Sequence, residues 1–334
     1  MISSIQTVEM HTGGEPLRII TDGVPMPDGH TLLEKRAYLR AHADQYRRFL
    51  MFEPRGHKDM YGALLVPPDH PEADLAVIFM HNEGYSTMCG HAIMALGRYA
   101  LDYGLIVKED KETPVNIQCP CGLVRAHVAT ENGVTGAVRF DSVPAFAYKI
   151  GQFVETPDYG PVELDIGYGG AFYAILDAGN LGLDVRTART RDLVMAATQI
   201  SDAVKAQIQI THPEEDDLGY LYGTILTDGA TGQGGSPSVN ICVFADEQVD
   251  RSPTGSGVTA RMALAAARKA IEPRETCQFE SVTGAIFDGK IANETKVGPY
   301  NAVTVEVAGH AHYSGTAEFT FEDGDPLGSG FLLR

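Results

Sequence analysis

The sequence has no long hydrophobic run and few positive charges, and each lack excludes a class of protein. No apolar stretch approaches the ~18 residues that would span a bilayer, and charged side chains interrupt residues 1–20. Neither a membrane protein nor a signal peptide is therefore expected. Only 26 Lys and Arg residues stand against 44 Asp and Glu residues, for a formal net charge of -18. A chain this acidic repels nucleic acids and anionic membrane surfaces, so neither is expected as a partner. The missing signal peptide and membrane span predict a cytoplasmic protein.

The signatures of several cofactors and of a disulfide framework are also missing. The 5 cysteines are odd in number and unevenly spread, unlike those of a disulfide-stapled fold. Cys119-Pro120-Cys121 lacks a second Cys/His pair at zinc spacing, so it is interpreted as packing at a strand end, and Cys242 and Cys277 as core. The glycine-rich run 232–235 has no following lysine, and no Gly-x-Ser-x-Gly motif occurs. The sequence predicts no metal and no cofactor.

The apolar pattern that is present predicts an α+β protein, and 334 residues are typical of two domains. Five runs bounded by Gly, Pro, Asn and Asp are typical of strands, and three stretches have helical periodicity. The predicted strands are residues 76–80, 122–128, 171–176, 239–244 and 302–307. The predicted helices are residues 92–105, 187–209 and 258–271.

Two of the predicted helix starts resemble each other. Residues 86–91 read Ser-Thr-Met-Cys-Gly-His, and residues 252–257 read Ser-Pro-Thr-Gly-Ser-Gly. In both, a small nucleophilic side chain stands just before glycine at the start of an apolar helix. Because one such start lies in each half of the chain, we expect a pseudo-symmetric protein with a site between the halves.

Each helix start offers the chemistry of a carboxylate site. The first N–H groups of a helix have no partner inside it, and the macrodipole adds positive potential there. Gly90 with His91, and Gly255 with Ser256, are therefore predicted to hold one substrate carboxylate between two helix ends. The same position favours a thiolate at Cys89, which would be placed as a general base for the carbon bearing that carboxylate. A cysteine before a helix is more often plain packing, so the residues alone leave both interpretations open.

Four separated segments, in the right order, resemble the proline racemase family. They are residues 11–16, 53–57 with 59–62, 88–91 and 250–257. The resemblance covers nearly the whole chain and implies the diaminopimelate epimerase-like fold: two pseudo-symmetric α/β domains, each a curled mixed sheet around a central helix. It implies domains of residues 1–143 with 313–334 and of residues 144–312, and a homodimer.

The resemblance also implies roles for the residues of the two loops. Racemases and 4-hydroxyproline epimerases of the family use two cysteines on opposite faces of Cα; the first matches Cys89, but the second position holds Thr254. Members with threonine there resemble trans-3-hydroxy-L-proline dehydratases, which remove the proton on one face and expel the 3-hydroxyl as water. The product would be Δ1-pyrroline-2-carboxylate. The implied roles are proton acceptor for Cys89, a hydroxyl near the ring for Thr254, and partner of the ring nitrogen for Asp250.

Several alternatives stay open from the sequence. The chain could be a 4-hydroxyproline epimerase or proline racemase in which Thr254 or an ordered water completes the proton exchange. It could also be a non-catalytic imino-acid-binding protein that uses the same carboxylate cradle. Asp250 could be a structural acid paired with Arg251. His57 and His81-Asn82 lie in segments that could line the site but are interpreted as structural.

Overall fold

The computed structural model describes residues 4–272 and 274–333, which form two compact units. The first unit contains residues 4–138 with 310–333, and the second contains residues 139–309. The boundaries predicted from the sequence lie at 143/144 and 312/313. No helix in the described ranges is both long and apolar enough to cross a membrane.

The described residues form 17 strands and 5 α-helices. The strands are β1 (Ser4–Thr12), β2 (Glu15–Asp22), β3 (Tyr61–Val66), β4 (Leu75–His81), β5 (Lys111–Cys119), β6 (Gly122–Glu131), β7 (Val134–Asp141), β8 (Ala145–Thr156), β9 (Gly160–Tyr168), β10 (Phe172–Asp177), β11 (Leu221–Thr227), β12 (Ser238–Phe244), β13 (Gln248–Asp250), β14 (Thr276–Glu280), β15 (Ile286–Val297), β16 (Tyr300–Gly309) and β17 (Ala311–Thr320). The helices are α1 (Leu32–His42), α2 (Asp44–Met51), α3 (Gly90–Asp102), α4 (Thr190–Gln207) and α5 (Gly255–Ala267).

The first unit is built on a mixed sheet. Its strands pair in the order β17-β1-β2-β3-β4-β5-β6. Neighbours are antiparallel except for the parallel pairs β2–β3 and β4–β5. Parallel neighbours need a crossover connection; α1 and α2 supply the first one and α3 supplies the second.

In the second unit the strand pairing closes on itself. The order is β8-β9-β10-β11-β12-β14-β15-β16, and β16 pairs again with β8. The parallel pairs are β10–β11, joined through α4, and β12–β14, joined through α5. The short strand β13 pairs with β12.

The two units repeat one connectivity. Each has an antiparallel pair, a parallel crossover, a second antiparallel pair, a second parallel crossover and a further antiparallel strand. The helices α3 and α5 both make the second crossover, and the residues just before them are Cys89 and Thr254. The similarity of the two helix starts in the sequence is therefore a repeat of topology.

Both of these helices are buried in their units. Within α3, all residues but Arg98 and Asp102 are buried, and within α5 the whole run from Gly255 to Leu264 is buried. The helix α3 packs against β1, β5, β6 and β17, and α5 packs against β8, β9, β15 and β16. A helix apolar on all sides is typical of a core position.

Candidate active site

The Cys89 loop, residues 86–91, leads into α3. Cys89 is the N-cap residue, with extended backbone (φ -151°, ψ 105°), and its carbonyl accepts a hydrogen bond from the Ile93 N–H at 3.0 Å. Its side chain is 6% exposed and points to His91 instead of capping the helix. The thiol thus lies at the N-terminal end of a buried helix, the end at which the macrodipole is positive.

His91 is the hydrogen-bond partner of the Cys89 thiol. The Cys89 Sγ lies 2.9 Å from Nδ1 of His91, and both side chains are buried. A proton shared between these atoms stabilises a thiolate beside an imidazolium, because the hydrogen bond is then charge-assisted. Thr12 Oγ1 donates to the His91 carbonyl at 2.9 Å, and the Tyr61 ring meets the imidazole edge-on at 5.0 Å. The first contact fixes the His91 backbone, and the second packs against the imidazole ring.

The two polar residues at the end of β4 have structural contacts. His81 is buried and stacks on Tyr61 with the ring centres 6.0 Å apart. The Asn82 amide donates to the carbonyls of Met51 at 2.8 Å and His57 at 3.1 Å, and its oxygen accepts from the Asp59 N–H at 2.8 Å. The His57 side chain is exposed.

The Cys119-Pro120-Cys121 turn lies against the Cys89 loop. Cys119 ends β5, and the Cys121 N–H donates to the Thr87 carbonyl at 3.1 Å. Burial raises the pKa of Cys119 well above its ordinary value, with smaller contributions from Cys121 and Cys89. Burial also raises the pKa of Cys121 to about 12. Both therefore stay neutral thiols at physiological pH, and the packing at a strand end is as the sequence indicated.

The Thr254 loop, residues 250–256, leads into α5 with a strained backbone. Thr254 has φ 66° and ψ 87°, a left-handed conformation that is a true outlier for a β-branched residue. Such a conformation costs on the order of 1–3 kcal/mol and clusters at functional sites. The Thr254 N–H donates to Ser252 Oγ at 3.1 Å, and the Thr254 carbonyl accepts from Val258 at 2.7 Å. Its hydroxyl is buried, and no group within residues 4–272 and 274–333 lies at hydrogen-bond distance and angle from it.

Asp250 lies at the start of the same loop and is 8% exposed. Burial raises the pKa of Asp250 to about 6. Hydrogen bonds from the side chain and the N–H of Ser252 act against burial and lower the pKa. The Ser252 N–H donates to Asp250 Oδ1 at 2.7 Å. The nearby Thr254 hydroxyl lowers it further, and attraction to Arg251 lowers it least. A carboxylate that burial disfavours to this degree is suited to pair with a cation that enters from solution.

Ser256 lies in the first turn of α5, where it is held by Tyr173 of β10. The Ser256 Oγ and the Tyr173 hydroxyl are 2.7 Å apart, and both residues are buried. The backbone after β9 approaches the same turn closely at Gly169, where a Cβ would lie 2.1 Å from the Ser256 carbonyl. Only glycine fits there. The first turn of α5 is thereby held from two sides.

Comparison with known proteins identifies the family. The proline racemase family matches residues 7–332. The chain belongs to the proline racemase family.

Two curated relatives and one solved structure illustrate the similarity. The chain is 58% identical to a human (Homo sapiens) trans-3-hydroxy-L-proline dehydratase, with 99% of this chain and 95% of the relative covered. It is 56% identical to a trans-L-3-hydroxyproline dehydratase of Xenopus tropicalis, with the same coverage. The crystal structure of a hydroxyproline epimerase from Agrobacterium vitis with bound trans-4-hydroxy-L-proline matches at a TM-score of 0.94 and 27% identity, covering 100% of this chain and 96% of that one. The expected α+β fold of the proline racemase family is confirmed.

For this member of the proline racemase family, the predicted site residues group by helix start. Cys89, Gly90 and His91 lie together before and within the first turn of α3. The residues Asp250, Thr254, Gly255 and Ser256 lie together around the start of α5. Among the described residues, no group of three or more His, Cys, Asp and Glu side chains is arranged to hold a metal ion.

The sequence did not indicate the side chains that support these loops. Thr12 and Tyr61 hold His91 in the first unit, and Tyr173 holds Ser256 in the second. Thr12 and Tyr61 do lie inside segments that resemble the proline racemase family, which was the only signal available for them. Tyr173 lies within a predicted buried strand and carried no signal of its own.

Proposed function

We propose that the chain converts trans-3-hydroxy-L-proline to Δ1-pyrroline-2-carboxylate and water, a hydro-lyase reaction. The observation that carries the proposal is the unequal pair of helix starts: a buried Cys89–His91 pair precedes and enters α3, whereas Thr254 precedes α5. In this proposal the start of α3 carries the group that exchanges the Cα proton, and the start of α5 carries none. Relatives that are 56–58% identical over nearly the whole chain carry the dehydratase name, which supports the same reaction.

The first step is removal of the Cα proton by the Cys89 thiolate. The substrate carboxylate would be held by N–H groups at both helix starts, from Gly90 and His91 and from Gly255 and Ser256. These donors also stabilise the negative charge that develops on the carboxylate as the enediolate forms. The thiolate is supported by the helix end and by His91, whose Nδ1 is 2.9 Å from the sulfur.

The second step is loss of the 3-hydroxyl. In the trans substrate the carboxylate and the hydroxyl lie on opposite faces of the ring, so the Cα hydrogen and the hydroxyl share a face. The electron pair left at Cα forms the double bond to C3, the C3–O bond breaks, and the departing oxygen takes a proton. His91 or the protonated Cys89 can supply that proton from the same face. The enamine then tautomerises to the cyclic imine, and the whole sequence is redox-neutral, so it requires no oxidant or reductant.

Asp250 and Thr254 would complete the binding of the ring. Asp250 would pair with the ring ammonium, whose charge favours the carboxylate form that burial alone disfavours. Thr254 would offer a hydroxyl near the ring, but threonine is too weak an acid or base to exchange a Cα proton without an activating partner. Elimination is then the productive fate of the enediolate.

We further propose, from the sequence, catalytic domains of residues 1–143 with 313–334 and of residues 144–312, a homodimer, and a cytoplasmic location.

Product identity tests the proposal against its alternatives. Incubation with trans-3-hydroxy-L-proline should release one water and form the imine, as followed by NMR, while the Cys89→Ser variant should form none. An inverted product from 4-hydroxyproline or proline, with 3-hydroxyproline left intact, would instead support an epimerase or racemase. Saturable binding of the imino acids without turnover would support a binding protein.

A further inference from the structure

Arg261 is a buried arginine within α5, about two turns beyond Thr254. Its guanidinium donates to Asn240 Oδ1 at 3.0 Å, to Ser238 Oγ at 2.5 Å and to the Ala230 carbonyl at 3.2 Å. It also lies 4.6 Å above the Phe279 ring. Burial lowers the pKa of Arg261 to about 10, so the side chain stays charged at neutral pH. A buried charge with this many partners is well placed to fix the groups that it contacts.

The arginine determines which way the Asn240 amide points. Arginine only donates hydrogen bonds, so the oxygen of the Asn240 amide must face it, and the NH2 group must face the other way. That NH2 group donates to the Pro253 carbonyl over 3.4 Å. Ser238 and Asn240 are alternate residues of β12, whose side chains share one face of the strand, so one guanidinium reaches both.

The Pro253 carbonyl belongs to the peptide that enters the strained Thr254. A strained residue persists only where its surroundings over-determine its conformation. Two of the contacts that hold this backbone come from the loop and the helix themselves, namely Ser252 and Val258. The contact from Asn240 comes from a different element, the strand β12. It therefore ties the loop to the sheet of the unit.

We propose that Arg261 is a positioning residue: through Asn240 and the Pro253 carbonyl, it holds the Thr254 loop in its substrate-binding conformation. The inference rests on the proposed function, in which the loop supplies Asp250 and the N–H groups at the start of α5. Misplacing Asp250 and these N–H groups weakens substrate binding, which raises KM, and it also removes part of the stabilisation of the enediolate, which lowers kcat.

The decisive variant is Asn240→Asp. The new carboxylate keeps the shape of the side chain and forms an ion pair with Arg261, a stronger bond than the amide makes. Its second oxygen, however, faces the Pro253 carbonyl, and two acceptors repel. We expect the variant to fold and to melt cooperatively, with KM for trans-3-hydroxy-L-proline raised about tenfold or more. A side chain that only stabilises the fold would change the melting temperature and leave KM unchanged.

Arginine variants separate charge from geometry. Arg261→Met should also raise KM. Arg261→Lys should raise KM less, because an ammonium can still donate to Asn240. The matched control is Arg268→Met, which removes another arginine at the end of α5 whose carboxylate partner is Asp165 at 2.6 Å. Its KM should match that of the wild type.

The Asp250→Asn variant distinguishes failure of this inference from failure of the proposed function. If Asp250→Asn weakens catalysis but Asn240→Asp leaves KM within twofold of the wild type, the positioning role of Arg261 is wrong and the site assignment stands. If neither variant changes kcat/KM, the loop does not bind substrate, and both proposals are overturned. A raised KM in both variants, with a normal Arg268→Met control, supports both.

Discussion

Replacing Asp250 by asparagine should stabilise the protein and impair its activity at the same time. The pKa of the buried carboxyl is about 6, against an ordinary value of 3.8, because burial disfavours the ionised form. A tenfold change in an ionisation equilibrium corresponds to ~1.4 kcal/mol. Holding the carboxylate ionised at pH 8 therefore costs the folded state about 3 kcal/mol, which the neutral amide avoids. The Asp250→Asn variant thus gains stability only at pH values above about 3.8, at which the wild-type carboxyl is ionised in the unfolded chain.

The sign of this effect defines its pH range. Because the folded pKa is raised, the stability contributed by protonated Asp250 is complete below pH 3.8 and is lost as the pH rises through 6. At pH 8 the Asp250→Asn variant should melt roughly 5–10 °C above the wild type, if the second unit melts as one cooperative domain. Near pH 4 the two melting curves should converge.

Activity should move in the opposite direction. The asparagine cannot neutralise the ring ammonium, and breaking a buried ion pair costs ~3–5 kcal/mol, so kcat/KM should fall on the order of 10²-fold or more. In the wild type, kcat/KM should fall below about pH 6 as Asp250 becomes protonated. Calorimetric melting at pH 4 and pH 8, with kcat/KM measured from pH 5 to pH 8, tests both effects. A variant that is less stable at pH 8, or fully active, would refute the reasoning.

Asp102 of α3 offers a control of opposite sign. Burial raises its pKa, but hydrogen bonds from Lys108, Thr135 and Arg98 outweigh burial and lower the pKa below 3.8. The carboxylate form therefore stabilises the folded state above the unfolded pKa. Asp102→Asn should lower the melting temperature at pH 8, with the difference from the wild type shrinking as the pH falls.

Three further predictions concern the two helix starts. Cys89→Ser should abolish turnover while pyrrole-2-carboxylate still binds, because the helix N–H groups remain; activity within tenfold of the wild type would remove the base role from Cys89. Alkylation followed by peptide mass mapping should modify Cys89 first, since burial keeps Cys119 and Cys121 as neutral thiols, and early labelling of either would contradict the site assignment. Thr254→Cys should gain epimerase activity on 4-hydroxyproline, with deuterium from heavy water at Cα of the inverted product. A thiol even ~1 Å out of place loses on the order of 10²-fold in rate, so modest activity suffices, and rapid epimerisation by the wild type would contradict the dehydratase proposal.

The sequence predicted the two central helices but missed α1 and α2. The stretches before α3 and α5 are local signals, a small nucleophile and glycine ahead of an apolar helix, and the helices begin at Gly90 and Gly255. In contrast, α1 buries Lys35 and Arg36, and these charges interrupt its apolar stripe. Lys35 donates to the Pro67 carbonyl at 2.9 Å and Arg36 to the Tyr85 carbonyl at 2.6 Å. Only the fold supplies these acceptors, so periodicity alone could not detect the helix.

The features of the candidate site also divide into those that the sequence indicated and those that only the fold shows. The local pattern placed Cys89, His91 and Ser256 at helix starts, where N–H groups and the macrodipole are properties of the helix itself. The predicted catalytic role of Cys89 and the predicted role of Thr254 came from the resemblance to the family. The strain at Thr254 was not predicted, because no local pattern reveals a left-handed threonine.

The sequence by itself determined the family, the mixed α+β composition and the two helix starts, because each depends on short-range pattern. The tertiary structure decided what surrounds them. It brought Thr12 to the His91 carbonyl, Tyr173 to Ser256 and Arg261 to Asn240, contacts between residues far apart in the chain. It also raised the pKa of Asp250 through burial. Burial and long-range hydrogen bonds exist only once strands and helices have packed, and no local motif encodes them.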